Sequence, residues 1–228
     1  MARAGRVCLP PMVIKALLFD LDGTLSETNS AHYLSWAEIL KPYGYDISWD
    51  FYRDRISGRL SPEIVEDLLP DLSPEEGREI ADSKEANFRE RSDTLEPLPG
   101  LIDFIDKWRE RGVARSLVTN APKENVLAML DALGLEGAFE PVILADEVEA
   151  GKPDPAPYDA ALETLGVSAS EAVAFEDSSS GITSSLAAGI PTVGIASTHD
   201  PENLEHLGVD LVVHDFTDPK LDSFISGR

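Results

Sequence analysis

From Leu98 to the C-terminus, short apolar runs alternate with amphipathic stretches, and most helical stretches stop at a glycine. An amphipathic stretch from Leu101 through Trp108 closes at Gly112 and is followed by the strand-like run Ala114–Val118. Val126, Leu127, Leu130 and Leu133 give the next helix its apolar positions before Gly134, and Val142-Ile143-Leu144 is the next strand. Tyr158 to Leu165 before Gly166, Ala172–Phe175, Ile182 to Ala188 before Gly189, Thr192–Ile195 and Leu211–Val213 continue the series. Repeated β-α order with short connections leaves few choices: a doubly wound parallel sheet of the α/β class, with helices on both faces. The run Ala16–Phe19 supplies a first strand well upstream of that series.

Between the first strand and the series lies a segment that reads as helices alone. Tyr33, Trp36, Ala37 and Leu40 fall at i, i+3, i+4 and i+7 over Ser30–Leu40. Ser61-Pro62 reads as a capping serine with proline at the first helical position, and Ile64, Val65, Leu68 and Leu69 give that helix its apolar face. Ser73-Pro74-Glu75-Glu76 has capping-box spacing and opens a charged helix running towards Arg91. Such a segment cannot join the sheet, so the expected organisation is a core of residues 1–27 and 93–228, with 28–92 as a small helical unit above the strand ends.

Lys and Arg number 19 against 42 Asp and Glu, a net charge of −23 that repels nucleic acid and anionic membranes alike. An anionic substrate would need locally built positive potential. The lone Cys8 excludes an internal disulfide, and no apolar run approaches the roughly 20 residues of a membrane span, so the expected setting is the cytoplasm. Residues 1–12 read as a loose tail too short and too broken by Pro10-Pro11 for a signal peptide, with Met12 an alternative start.

The chemistry-bearing residues follow the strands. Asp20 and Asp22 end the first, with Gly23 to turn the chain; Thr119-Asn120 follow the second; Gly151-Lys152-Pro153-Asp154 lie in a later loop; Glu176-Asp177-Ser178 follow Phe175. In a parallel sheet the carboxyl ends of the strands open into one crevice, so these groups are expected to converge. Two carboxylates one residue apart repel, which calls for a cation or a shared proton beside them.

The four motifs Asp20-Leu21-Asp22-Gly23-Thr24, Thr119-Asn120, Gly151-Lys152-Pro153 and Glu176-Asp177-Ser178, in this order and followed by Gly181 and Ala187-Ala188-Gly189, resemble those of the haloacid dehalogenase superfamily. The likeness covers nearly the whole chain after residue 12 and points to its phosphoglycolate phosphatase and β-phosphoglucomutase-like members. It implies a Rossmann-like core with an inserted helical cap, Mg²⁺ as cofactor, and a small phosphorylated metabolite as substrate. It further implies Asp20 as nucleophile, Asp22 as acid/base, Thr119 and Lys152 as phosphate ligands, and Asp20, Asp22, Glu176 and Asp177 as the metal site. Asn120, Arg59 and His32 are further candidates for substrate contact. Arg59 sits in a cap loop from which it can reach a second anionic or hydroxyl-rich group, though a plain surface arginine fits as well. The β-phosphoglucomutases also carry a histidine at the position of His32, yet a satisfied histidine beside the Trp36 helix face is the simpler reading.

Phosphoryl transfer needs an in-line nucleophile, a cation on the phosphoryl oxygens and further donors for the spread charge, and these residue types supply all three. The leading expectation is a phosphatase acting through an aspartyl-phosphate on Asp20, as a monomer or weak homodimer. A phosphomutase of the same family is the alternative. A non-enzymatic phospho-receiver switch would need neither a cap nor Asp22.

Overall fold

The computed structural model describes residues 13–227; the tail with Cys8 and Met12 lies outside them. Six strands, β1 (Ala16–Phe19), β2 (Ala114–Thr119), β3 (Val142–Leu144), β4 (Ala172–Glu176), β5 (Thr192–Ile195) and β6 (Leu211–Val213), pair in the order β3-β2-β1-β4-β5-β6. Every ladder is parallel. The chain lays β2 and β3 to one side of β1 and then returns to place β4 on the other. The order therefore reverses at the β1/β4 boundary, where a doubly wound sheet opens its ligand crevice.

Both faces of the sheet are covered because successive strand residues point to opposite sides and both sets are apolar. Leu17, Phe19, Leu117, Val173 and Phe175 join α5 (Leu101–Glu110) and α6 (Lys123–Ala132) on one side. There Phe19 stacks on Phe175 with ring centroids 4.7 Å apart. On the other side Ala16, Leu18, Ala172 and Ala174 meet Tyr158 and Ala161 of α7 (Ala156–Leu165), the alanines letting that helix lie close. The helix α8 (Ser179–Ala187) follows β4 directly, its Ser178 hydroxyl accepting from the Gly181 amide.

The intervening segment forms α1 (Asn29–Leu40), α2 (Trp49–Arg55), α3 (Ser61–Leu68) and α4 (Pro74–Arg89). Trp36, Leu40, Tyr52, Ile56, Ile64 and Val65 enclose an apolar cluster of their own. Ala31 and Phe88, by contrast, belong to the main core, so α1 and α4 are rooted in the sheet domain at one end. The Ser73/Glu76 capping box forms as its spacing predicts. Ser61 does not cap: it is already helical, Leu60 holds the cap position, and its hydroxyl reaches across to Glu85 at 2.5 Å. Leu127 is likewise not a core residue but 59% exposed, because the buried stripe of α6 runs Val126, Met129, Leu130, Leu133 and leaves position 127 facing out. The short helices α2, α9 (Pro201–His206) and α10 (Lys220–Ser226) carry too few turns for a periodic signal.

Candidate active site

Three segments remote in sequence meet at the β1/β4 crevice. Asp20 leaves the end of β1, Glu176 ends β4, Asp177 follows it, and Lys152 reaches in from the loop before α7. The Lys152 ammonium donates to Asp20 Oδ1, Glu176 Oε1 and the Val118 carbonyl, each at 2.6 Å, so all three of its protons are directed. Lys152, Asp20, Glu176 and Asp177 are all buried. The Tyr158 hydroxyl donates to Glu176 Oε1 at 2.7 Å, and the Thr198 hydroxyl to Asp177.

Two glycines make room for these carboxylates. A Cβ on Gly181 would lie 1.9–2.0 Å from the Glu176 carboxyl atoms, so only a bare backbone lets α8 start against that side chain. Gly23, at φ +74°, would put a Cβ 2.0 Å from Asp177 Oδ2.

Oxygens of Asp20, Glu176 and Asp177 all lie within 4.8 Å of one another. Three carboxylates against the Lys152 ammonium leave two negative charges in excess in a buried place, and a divalent cation that prefers hard oxygen ligands matches both the charge and the donor set. The excess is visible in the acidities. Burial pushes the Asp20 carboxyl up to about 8 against the lowering pull of Lys152, with Glu176 and Asp22 adding to the rise. Burial, then Asp20 and Glu176, push Asp177 well above the usual range. Burial works to lower Lys152, but Asp20 and Glu176 hold it above its ordinary value as a firm cation.

These shifts fix the sign of a stability effect. Between about pH 4 and pH 8 the folded, metal-free protein keeps a proton on Asp20 that the unfolded chain has lost, and the raised Asp177 acts in the same direction, so stability falls as pH rises. Unfolding midpoints in a chelating buffer are expected to drop from pH 5.5 to 8.5. Added Mg²⁺ is expected to raise the midpoint most at the alkaline end, where the carboxylates are free to bind it. A flat profile in chelator would mean that the three carboxylates do not share a buried site.

Asp22 stands apart from the acidic group. Its carboxylate faces His32 Nε2 at 3.3 Å, and His32 Nδ1 lies 2.9 Å from the Lys84 ammonium. An ammonium can only donate, so Nδ1 accepts and Nε2–H points at Asp22. Burial would raise Asp22, but His32, Thr28 and Lys84 together hold it below the usual carboxylate range. His32 also stacks on Phe88 at 4.1 Å. It is thus both a packed side chain and the partner of Asp22, a pairing that its place beside Trp36 did not suggest.

Thr119 is buried at the crevice, its hydroxyl accepting from the Ala121 amide at 3.0 Å. Asn120 spends its amide on the lysine loop: Nδ2 donates to the Lys152 carbonyl and Oδ1 accepts from the Lys152 amide, both at 3.0 Å. It shapes the loop that presents Lys152, and it also lines the cleft. Arg59 lines the cleft between sheet and cap, where Asp67 takes its guanidinium at 2.9 Å.

That cleft has a volume of about 420 Å³, walled by Asp20, Asp22, Thr119 and Lys152 below and by residues of α1 to α4 above. Sequence reasoning missed Lys84, Glu85 and Tyr158. For Lys84 a signal existed, since Ala81, Lys84 and Phe88 share one stripe of α4 and all three are buried.

Comparison with known proteins decides the family. The model of the haloacid dehalogenase-like hydrolases matches residues 17–195. The chain belongs to that family. Among its relatives is a validoxylamine A 7'-phosphate phosphatase of Streptomyces hygroscopicus subsp. limoneus, 30% identical over 206 residues, or 90% of this chain and 95% of that one. The fructose-1-phosphate phosphatase YqaB of Escherichia coli is 33% identical over 78% of this chain and 95% of its own. The crystal structure of CbbY from Rhodobacter sphaeroides in complex with phosphate superposes with a TM-score of 0.79 at 27% identity, covering 90% of this chain and 96% of that chain. The six-stranded parallel sheet and the helical insertion are those of this haloacid dehalogenase-like fold, and the protein is an enzyme of the hydrolase class, which sets the receiver-switch alternative aside. No helix among the described residues is long and apolar enough to cross a membrane.

Proposed function

We propose that this haloacid dehalogenase-like hydrolase is a Mg²⁺-dependent phosphatase of small phosphorylated sugars or sugar-like metabolites, working through an aspartyl-phosphate on Asp20, with residues 28–92 acting as its cap. The observation that carries the reading is the Lys152 ammonium clamped between Asp20 and Glu176 at 2.6 Å on the floor of a covered cleft. That arrangement holds a carboxylate oxygen in place and puts fixed positive charge where a phosphoryl group would arrive. Relatives named as phosphatases of a sugar phosphate and of validoxylamine A 7'-phosphate support the substrate class.

Asp20, Glu176 and Asp177 would hold the cation through their carboxylates, and Asp22 through its backbone carbonyl. Bound there, Mg²⁺ screens the Asp20 carboxylate from the phosphate and neutralises phosphoryl oxygens. In the first half-reaction an Asp20 oxygen attacks phosphorus and the bond from phosphorus to the ester oxygen breaks. The Asp22 carboxyl gives its proton to the departing alkoxide. Asp22 is ionised at rest; the phosphoryl dianion arriving beside it raises its proton affinity, so it takes a proton from solvent as the substrate enters and passes that proton on. In the second half a water attacks phosphorus, Asp22 takes the water's proton, and the bond from phosphorus to Asp20 breaks to release phosphate. Lys152 and the Thr119 hydroxyl steady the phosphoryl charge throughout, and the cap keeps bulk water from the first step.

The test is hydrolysis of p-nitrophenyl phosphate and of a panel of sugar phosphates, each with Mg²⁺ and with excess chelator. Turnover is expected to stop in chelator and return with Mg²⁺; undiminished rates would remove the metal from the reaction. With glucose 1-phosphate, free phosphate is expected to outpace any positional isomer. The reverse would make the enzyme a mutase.

A further inference from the structure

The cap side of the cleft holds two cations, and each is already matched to a carboxylate. The Lys84 ammonium donates to Glu85 Oε1 at 3.0 Å, and Arg59 Nη1 to Asp67 Oδ2 at 2.9 Å. Arg59 is further held by the Arg55 and Glu63 carbonyls at 2.9 and 3.3 Å, which turn its guanidinium back onto its own loop and helix. Asp82 adds a further acidic side chain to the lining, where Glu85 is already taken up by Lys84, Ser61 and Asn125. A carboxylate only accepts, so it pairs with hydroxyl protons and repels a phosphate, which only accepts too. Trp36, Ile56 and Leu60 supply an apolar wall for the carbon skeleton.

Resting on the phosphatase reading above, we infer that the cap half of the cleft selects a monophosphate ester whose remainder is neutral and hydroxyl-bearing. It discriminates against a second phosphate, and Asp67 sets this preference by withholding Arg59. Asp67 touches no bound group in this scheme. It is exposed on α3, and its only described partners are Arg55 and Arg59.

The experiment compares fructose 1-phosphate with fructose 1,6-bisphosphate, as kcat/KM for the wild-type enzyme and the Asp67→Asn and Arg59→Gln/Asp67→Asn variants. Wild type is expected to favour the monophosphate about tenfold. Asp67→Asn leaves the monophosphate unchanged and improves the bisphosphate about fivefold, mainly through KM, because a guanidinium is released to a partly screened site. The double variant returns to the wild-type ratio, and Glu66→Gln, which removes the same charge from α3 without freeing Arg59, leaves the ratio at its wild-type value, which separates release of Arg59 from a general change in charge. Calorimetric titration of both esters into the Mg²⁺-loaded Asp20→Asn protein reads the same preference as a ratio of Kd values, without turnover. Equal wild-type treatment of the two esters, or an unchanged ratio in Asp67→Asn, would overturn the inference. Failure to hydrolyse either ester, with a clear preference in the titration, would instead count against the reaction proposed above and leave the selectivity standing.

Discussion

Asp20→Asn is expected to lower kcat for any accepted phosphate ester by at least about 10³-fold while the protein keeps its fold and gains stability. An amide oxygen is a poor nucleophile, and no other carboxylate follows the end of β1 with a lysine directed at its oxygen. The gain in stability has a separate cause. Asp20 shares a buried place with Glu176 and Asp177, and burial pushes its carboxyl up to about 8, so folding at neutral pH works against that ionised form. The asparagine keeps an oxygen for Lys152 and is neutral without having to take up a proton on folding. Circular dichroism and an unfolding midpoint in chelator, measured beside the rate, test both halves. An active variant would rule out covalent transfer through Asp20, and a lower midpoint would deny the crowding of charge.

Lys152→Met is expected to cost both rate and stability. Its ammonium is buried and makes three hydrogen bonds, two of them to carboxylates. Removing one partner of a buried ion pair leaves the other uncompensated, an effect on the order of 3 kcal/mol or more in urea unfolding. The rate is expected to fall by about 10²-fold or more, since in the proposed reaction the lost charge would face the phosphoryl group in the transition state. Mg²⁺ would restore part of the midpoint, because a cation can replace lost positive charge among three carboxylates, but would not restore the rate. Full recovery of activity by metal would show that the lysine only balances charge.

Much of the architecture was legible because the relevant signals are local. Strands β3, β5 and β6 end where their apolar runs end and β2 and β4 one residue beyond, and the glycines at 112, 134, 166 and 189 all carry positive φ where the preceding helices stop. The strand-end carboxylates and Lys152 could be expected to converge because a parallel sheet fixes which ends share a crevice. Side-chain partners across the cleft were not legible. Whether Lys84 in α4 meets His32 in α1 depends on how two helices are rolled, which no spacing within either determines. Asn120 shows the same limit, since following a strand places it at the crevice, yet the lysine loop, 32 residues on, captures both ends of its amide.

The pairing of β1 carries a consequence for how the polypeptide comes into being. Ala16 of this strand is flanked by Ala114 and Ala172, so one neighbour is not made until about half of the 228 residues are synthesised and the other until about three quarters are. Its Leu17-Leu18-Phe19 run must wait uncovered on the ribosome while the helical insertion is made, and contacts of such separation are slow to form. Substitutions in β1 should therefore show themselves first as poor yield and chaperone dependence in the cell, ahead of any defect in the purified enzyme.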